Sequence, residues 1–275
     1  MFSSLKISMR TVIYISCLSL IAIMGCSATV APEYTDNPVA QRDVLAQVST
    51  IGALLDGVYD GTITFGELKS YGGFGLGTVE ALDGEMVGFD GDFYQVKADG
   101  VAYLIPDSME TPFACVTFFD ADRTEPLTEG MNYEQLKEFL DGTLPTGNIF
   151  YAIKIEGTFS YMKTRSVPRQ EKPYPPLVEV IEDQTIFEFD DVEGTIVGFR
   201  CPAYVSGINV VGYHLHFLTK DKDAGGHVLE FEVEEAVMSV DYTSEFFMIL
   251  PGEDTGFYDI DLTQDEQDEV EHVEH

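Results

Sequence analysis

Three of the chain's five histidines crowd into residues 213–227, in the order Tyr213-His214-Leu215-His216-Phe217, a polar stretch, then Ala224-Gly225-Gly226-His227. His214 and His216 alternate with Tyr213, Leu215 and Phe217, the pattern of an extended strand of period two. Both imidazoles therefore leave one face while the larger apolar side chains leave the other. Residues 220–226 are polar and end in glycines, and His227 opens a second alternation, His227-Val228-Leu229-Glu230-Phe231. A hairpin here returns His227 to the face that carries the first two. Three neutral imidazoles converging from neighbouring strands suit a zinc ion with a coordination position left open, as in catalytic rather than structural sites. The blander alternative is a strand whose histidines face solvent or core; it demands the same β structure.

At the N-terminus, Lys6 and Arg10 precede an apolar run from Val12 to Met24 that is short for a membrane span and stops at Gly25-Cys26. Residues 1–25 read as a signal peptide. Ile23-Met24-Gly25-Cys26 resembles the lipobox of bacterial lipoproteins, in which the cysteine becomes the lipidated first residue. The expectation is export across the cytoplasmic membrane and attachment through Cys26, with a soluble periplasmic or extracellular protein as the alternative. Removing residues 1–25 takes away two basic residues and no acidic one, leaving 13 basic against 48 acidic and a charge of −35. So acidic a chain does not seek nucleic acid or anionic lipid surfaces. Cys115 and Cys201, the cysteines left after Cys17 and Cys26, are too few for a disulfide frame and are expected as buried thiols.

Residues 26–45, with two prolines between 31 and 42, read as a tether. Val48, Ile51, Leu54, Leu55 and Val58 fit a helical face, and Thr62-Ile63-Thr64-Phe65 offers a cap for a second short helix. The pairs Asp83-Gly84, Asp90-Gly91 and Asp99-Gly100 punctuate alternating runs and predict a β-meander. A strand over 113–119, a helix over 133–140 and a strand pair over 150–167 turning near Glu156-Gly157 follow. The proline-rich loop Glu171-Lys172-Pro173-Tyr174-Pro175-Pro176 suggests a boundary between a first domain, 46–170, and a second, 171–275. Strands over 185–189 and 194–199, the histidine strand and a long alternation to Leu250 fill the second. From Leu262 to Val273 the apolar spacing is helical amid Asp and Glu, most of which should form a solvated face.

Several longer blocks resemble the alpha-acetolactate decarboxylase family from about Thr50 onward. They are Tyr71-Gly72-Gly73-Phe74-Gly75-Leu76-Gly77-Thr78 with Leu82-Asp83-Gly84-Glu85; Phe150-Tyr151-Ala152-Ile153-Lys154-Ile155 with Thr164-Arg165-Ser166-Val167-Pro168; Thr195-Ile196-Val197-Gly198-Phe199; Gly207-Ile208-Asn209; and the histidine blocks through Gly225-Gly226-His227. The resemblance implies a β-rich α/β (α+β) fold of two packed domains on mixed and antiparallel sheets. It implies a zinc lyase that converts 2-acetolactate to acetoin and carbon dioxide. By the same resemblance His214, His216 and His227 hold the metal, Glu85 and Arg165 are active-site residues, and Thr78 lines the site. A further glutamate of the C-terminal tail corresponds best to Glu274, with Glu271 and Glu253 as alternatives.

The implied chemistry suits these residue types. Loss of carbon dioxide from a β-keto acid leaves charge that spreads onto the ketone oxygen as an enediolate, which Zn2+ would stabilise. A guanidinium such as Arg165 orients the carboxylate, and Glu85 or the tail glutamate supplies the proton. Thr78 is expected to contribute a hydrogen bond. The competing readings are a lipid-anchored, non-enzymatic protein that captures zinc or a zinc-bound ligand, and a different, cupin-like metal enzyme. A small molecule is the expected partner, with a homodimer admissible.

Overall fold

The computed structural model describes residues 43–263 and 267–274, except the side chains of Gln267 and Glu271. The expected signal peptide, the lipobox with Cys26 and the tether up to residue 42 lie outside the described residues. In chain order the elements are β1 (Val44–Val48), α1 (Ile51–Leu55), β2 (Ile63–Thr64), α2 (Phe65–Leu68), β3 (Phe74–Thr78), β4 (Glu85–Phe89), β5 (Asp92–Val96), β6 (Ala102–Leu104), β7 (Glu110–Thr111), β8 (Ala114–Thr117), β9 (Arg123–Pro126), α3 (Tyr133–Thr143), β10 (Phe150–Ser166), α4 (Leu177–Val180), β11 (Thr185–Cys201), β12 (Gly212–Thr219), β13 (Gly225–Thr243), β14 (Glu245–Ile249) and α5 (Gln267–Glu274). The fold is the mixed α/β, mostly β architecture that the strand patterns imply.

Local chemistry accounts for many of the boundaries. Thr50 caps α1 by accepting from the Ala53 amide at 3.1 Å. Reciprocal capping boxes, Thr64 with Glu67 and Asn132 with Gln135, start α2 and α3. The Asp90-Gly91 turn joins β4 to β5 with φ of 56° and 83°, the left-handed pair that a two-residue hairpin needs.

Seven strands form the first sheet in the order β14-β1-β8-β3-β4-β5-β6. Within it β1 and β14 run parallel and the other pairs antiparallel. The second sheet has the order β10-β11-β12-β13-β9, and β10 also pairs with β13, so the circuit β10-β11-β12-β13 closes on itself. Its inner face holds Tyr151, Ile153, Ile196, Leu215, Phe217 and Val228, with Leu136 and Leu140 of α3 packed in. A separate apolar seam, including Leu76 and Val87 of the first sheet and Ala152, Val197 and Leu218 of the second, lies between the sheets. The far side of the first sheet packs Met86, Val116 and Phe93 against Phe65 and Leu68 of α2.

Several elements differ from the sequence expectations. Val44 and Leu45, expected in the tether, and Val48, expected on a helical face, lie in β1; the helix itself is confined to Ile51–Leu55. Residues 150–166 form one strand rather than a pair turning at Glu156-Gly157. A Cβ at Gly157 would stand 2.1 Å from the Glu235 carbonyl oxygen, so the glycine admits a neighbouring strand rather than a turn. Residues 185–201 are likewise one strand, with Asp191 at φ 50° inside it. The proline-rich loop falls between β10 and β11, adjacent strands of one sheet, and β14 rejoins the first sheet. The sheets thus divide the chain elsewhere than at residue 170, and the described residues all fall within one compact unit.

Candidate active site

Strand alternation aims the site residues. On β12, Tyr213, Leu215 and Phe217 enter the closed circuit, so His214 and His216 face the seam beside Leu218. The hairpin to β13 sets His227 directly opposite His216, and the β10–β13 register sets Arg165 opposite His227. From the first sheet, Phe74 and Leu76 face the seam and carry Thr78 with them; Val87 and Phe89 do the same for Glu85. Thr78 and Glu85 are themselves cross-strand partners. Helix α5 closes the remaining side, with Val270 and Val273 in the seam and Glu274 buried.

The three histidines offer nitrogens that all lie within 4.8 Å of one another, and all three are buried. His214 Nε2 stands 3.1 Å from His216 Nε2. Glu274 Oε2 is 3.2 Å from His214 Nε2 and 3.8 Å from His227 Nδ1, and Glu85 Oε2 is 3.5 Å from His216 Nε2. Two donors bound about 2.1 Å from one tetrahedral ion stand roughly 3.4 Å apart, so these spacings match a shared cation.

Backbone carbonyls select the tautomers. A carbonyl can only accept, so His216 Nδ1 donates to Met86 O at 2.8 Å and His227 Nε2 donates to Glu274 O at 3.1 Å. Burial holds both imidazoles well below the usual histidine range; at His216 the neighbouring His214 adds to the effect, and at His227 Arg165 does. Neutral rings with one N–H committed keep a lone pair for a metal, the state that ligation requires. The donor set, three imidazoles with carboxylates beside them, fits zinc.

Glu85 is buried, and its carboxyl is pushed up to about 7, chiefly by burial; Arg165 opposes the shift and Glu274 adds to it. Arg165 is 4% exposed, and among the described residues its Nε has no hydrogen-bond partner and it makes no ion pair. Thr78 lines the cavity, but its hydroxyl donates to Gly84 O at 2.6 Å, fixing the turn that leads into Glu85. Of the tail candidates, Glu274 lines the cavity, Glu253 is exposed on a short 3-10 turn, and the Glu271 side chain lies outside the described residues. Sequence reasoning missed the apolar wall, which includes Ile51, Leu54, Leu82, Phe113, Leu177 and Val273, and the two carbonyl acceptors. The wall is drawn from scattered elements, and a carbonyl leaves no residue-type signal.

The family model for alpha-acetolactate decarboxylase matches residues 45–264. The chain belongs to the alpha-acetolactate decarboxylase family. It is 51% identical to the alpha-acetolactate decarboxylase of Methanosarcina mazei, over 88% of this chain and 83% of that one. It is 45% identical to that of Bacillus subtilis, over 78% of this chain and 84% of the other. The crystal structure of the Bacillus subtilis strain 168 protein superposes with a TM-score of 0.82 at 42% identity, covering 84% of this chain and 99% of that one. Both sheets therefore belong to a fold shared with alpha-acetolactate decarboxylases.

Proposed function

We propose that this chain decarboxylates 2-acetolactate to acetoin and carbon dioxide, with His214, His216 and His227 holding a zinc ion. The observation that carries the reading is Arg165, a buried guanidinium without an ion pair among the described residues, lining one cavity with the three histidines. An uncompensated buried cation is costly, and a substrate carboxylate offsets that cost with two parallel hydrogen bonds. Zinc, when bound, supplies a Lewis acid for the ketone and hydroxyl oxygens and so stabilises the charge left as the carboxylate departs.

The chain's own groups do the rest. Arg165 orients the carboxylate so that the breaking carbon–carbon bond lies across the plane of the ketone. The apolar wall excludes bulk water, which strengthens every charge interaction inside. The electron pair of the broken bond passes to the ketone oxygen, giving an enediolate, and one proton delivered to carbon completes acetoin. Glu85 is the donor we assign, because its buried carboxyl reaches to 3.5 Å from His216 Nε2 at the cluster, within range of a substrate held there. Glu274, reaching the cluster from α5, closes the opposite side and shares the acid–base work. Thr78 acts by holding the turn before Glu85.

The test is direct. The purified domain mixed with acetolactate should release acetoin and carbon dioxide well above the spontaneous rate and keep about one zinc per chain after dialysis. Zinc retention without turnover would favour a binding protein instead.

A further inference from the structure

The proposed chemistry needs groups from two sheets to meet. Arg165 and His227 are fixed relative to each other by direct pairing of β10 with β13. Glu85 belongs to the other sheet and shares no strand pairing with them. Among the described residues, two hydrogen bonds join strands of the two sheets here, while the Gln170 amide, just beyond β10, donates to Ala81 O at 2.8 Å. One joins His216 Nδ1 to Met86 O, the residue after Glu85, at 2.8 Å. The other joins the Ser166 hydroxyl to Val96 O at 2.7 Å. Ser166 is fully buried and follows Arg165 in the chain; Val96 is the cross-strand partner of Glu85.

We propose that Ser166 is a positioning residue for the decarboxylation: its bond to Val96 O holds the end of β10 that carries Arg165 in register with the strand pair that carries Glu85. On the other flank of Arg165, the Thr164 hydroxyl donates to Gly225 O at 2.7 Å, two residues before His227. The guanidinium is thus tied on one side to the histidine hairpin and on the other to the sheet of the acid. Both hydroxyls are buried, where an unmade bond is expensive and a made one is stiff. Placing reacting groups to within a fraction of an ångström is worth orders of magnitude in rate, so a bond of this kind acts on turnover as well as on stability.

The inference rests on reading Glu85 and Arg165 as acid and carboxylate clamp, so the experiment includes them. Turnover, thermal stability and zinc content would be measured for Ser166→Ala, Ser166→Thr, Glu85→Gln, Arg165→Ala and the Ser166→Ala/Glu85→Gln double variant. Ser166→Ala should keep zinc and lose about 10-fold or more in kcat. Ser166→Thr, which retains the hydroxyl, should recover most of that loss. In the Glu85→Gln background Ser166→Ala should change kcat little, because the alignment it protects no longer serves an acid. A Ser166→Ala enzyme that melts earlier yet turns over normally overturns the proposal, as does a loss that multiplies fully with that of Glu85→Gln. If Glu85→Gln or Arg165→Ala keeps normal turnover, the reading of the pair falls first and the role of Ser166 with it. Should Ser166→Ala fail to accumulate, Ser166→Cys, nearly the same shape with a weak donor, takes its place and should show the same kcat loss.

Discussion

At His216 and His227 a backbone carbonyl decides which ring nitrogen faces the cluster, so each imidazole arrives with its lone pair already aimed. Truncating one of three such ligands removes both a bond and the geometry of the rest. His216→Ala is expected to lose zinc on dialysis and, with it, turnover; metal analysis beside an acetoin assay checks this, and full occupancy would remove His216 from the ligand set. Glu85→Gln and Arg165→Ala should instead keep zinc and fold while turnover drops about 100-fold or more. A residue far from the cluster gives an independent test of burial. Asp241 is fully buried on β13, accepts from the Asp120 amide at 3.1 Å, and has its carboxyl pushed from 3.8 up to about 6, chiefly by burial, with Asp122, Asp43 and Asp120 adding to the shift. Between those two values the native state binds more protons than the unfolded chain, so this group's contribution to stability is full below about pH 4 and is lost as pH rises through 6. Asp241→Asn should flatten that part of the stability–pH curve, measured by denaturant unfolding; an unchanged slope would mean that Asp241 ionises freely in the folded protein.

Among the elements, α5 joins the apolar seam to the histidine cluster. Val270 and Val273 anchor it in the seam, and its last residue places a carboxylate among the histidines. The cavity it covers is lined by the three histidines, Glu85, Arg165 and Glu274 itself. Deleting residues 268–275 removes both the Glu274 carboxylate and the carbonyl that holds His227, so turnover should fall and zinc should be held less tightly, read by kcat and metal content together; normal acetoin production would exclude Glu274 from the chemistry. The elements also show what the sequence made legible. Period-two alternation and Asp-Gly pairs announced the meander of β4, β5 and β6, and the His-x-His pattern with its glycine-ending loop announced the hairpin of β12 and β13. Gly157 misled because a glycine that admits a close neighbouring strand looks, in sequence, like one that turns the chain. The β1 strand resembles tether and helix in sequence because its five residues are all buried and so show no alternation. In the site the side chains could be named from the family resemblance, whereas the Ser166 and His216 bonds depend on carbonyls whose positions only the packed sheets define.

For the molecule as a whole, the two sheets face each other across one apolar seam, and the site sits where polar groups interrupt it. The N-terminal sequence suggests a separate module. If residues 1–25 are a lipoprotein signal, Cys26→Ser should free the protein from membranes without changing its turnover; fractionation of cells with an acetoin assay on each fraction checks both halves. Failure of labelled fatty acid to enter the wild-type protein would leave a simply secreted or periplasmic chain.

The closeness of the three histidines along the chain bears on how the molecule comes together. His214, His216 and His227 belong to one hairpin, whose two strands are joined by only a short loop, so little chain has to be ordered to bring them together. Glu85, Arg165 and Glu274 arrive from remote segments, and joining them means closing loops that span most of the described chain, the slow kind of folding step. A metal can therefore be captured by the hairpin before the acid, the clamp and α5 have assembled around it. Capture at that stage would favour the hairpin over competing pairings, so that the metal proposed for the site would also bear on folding.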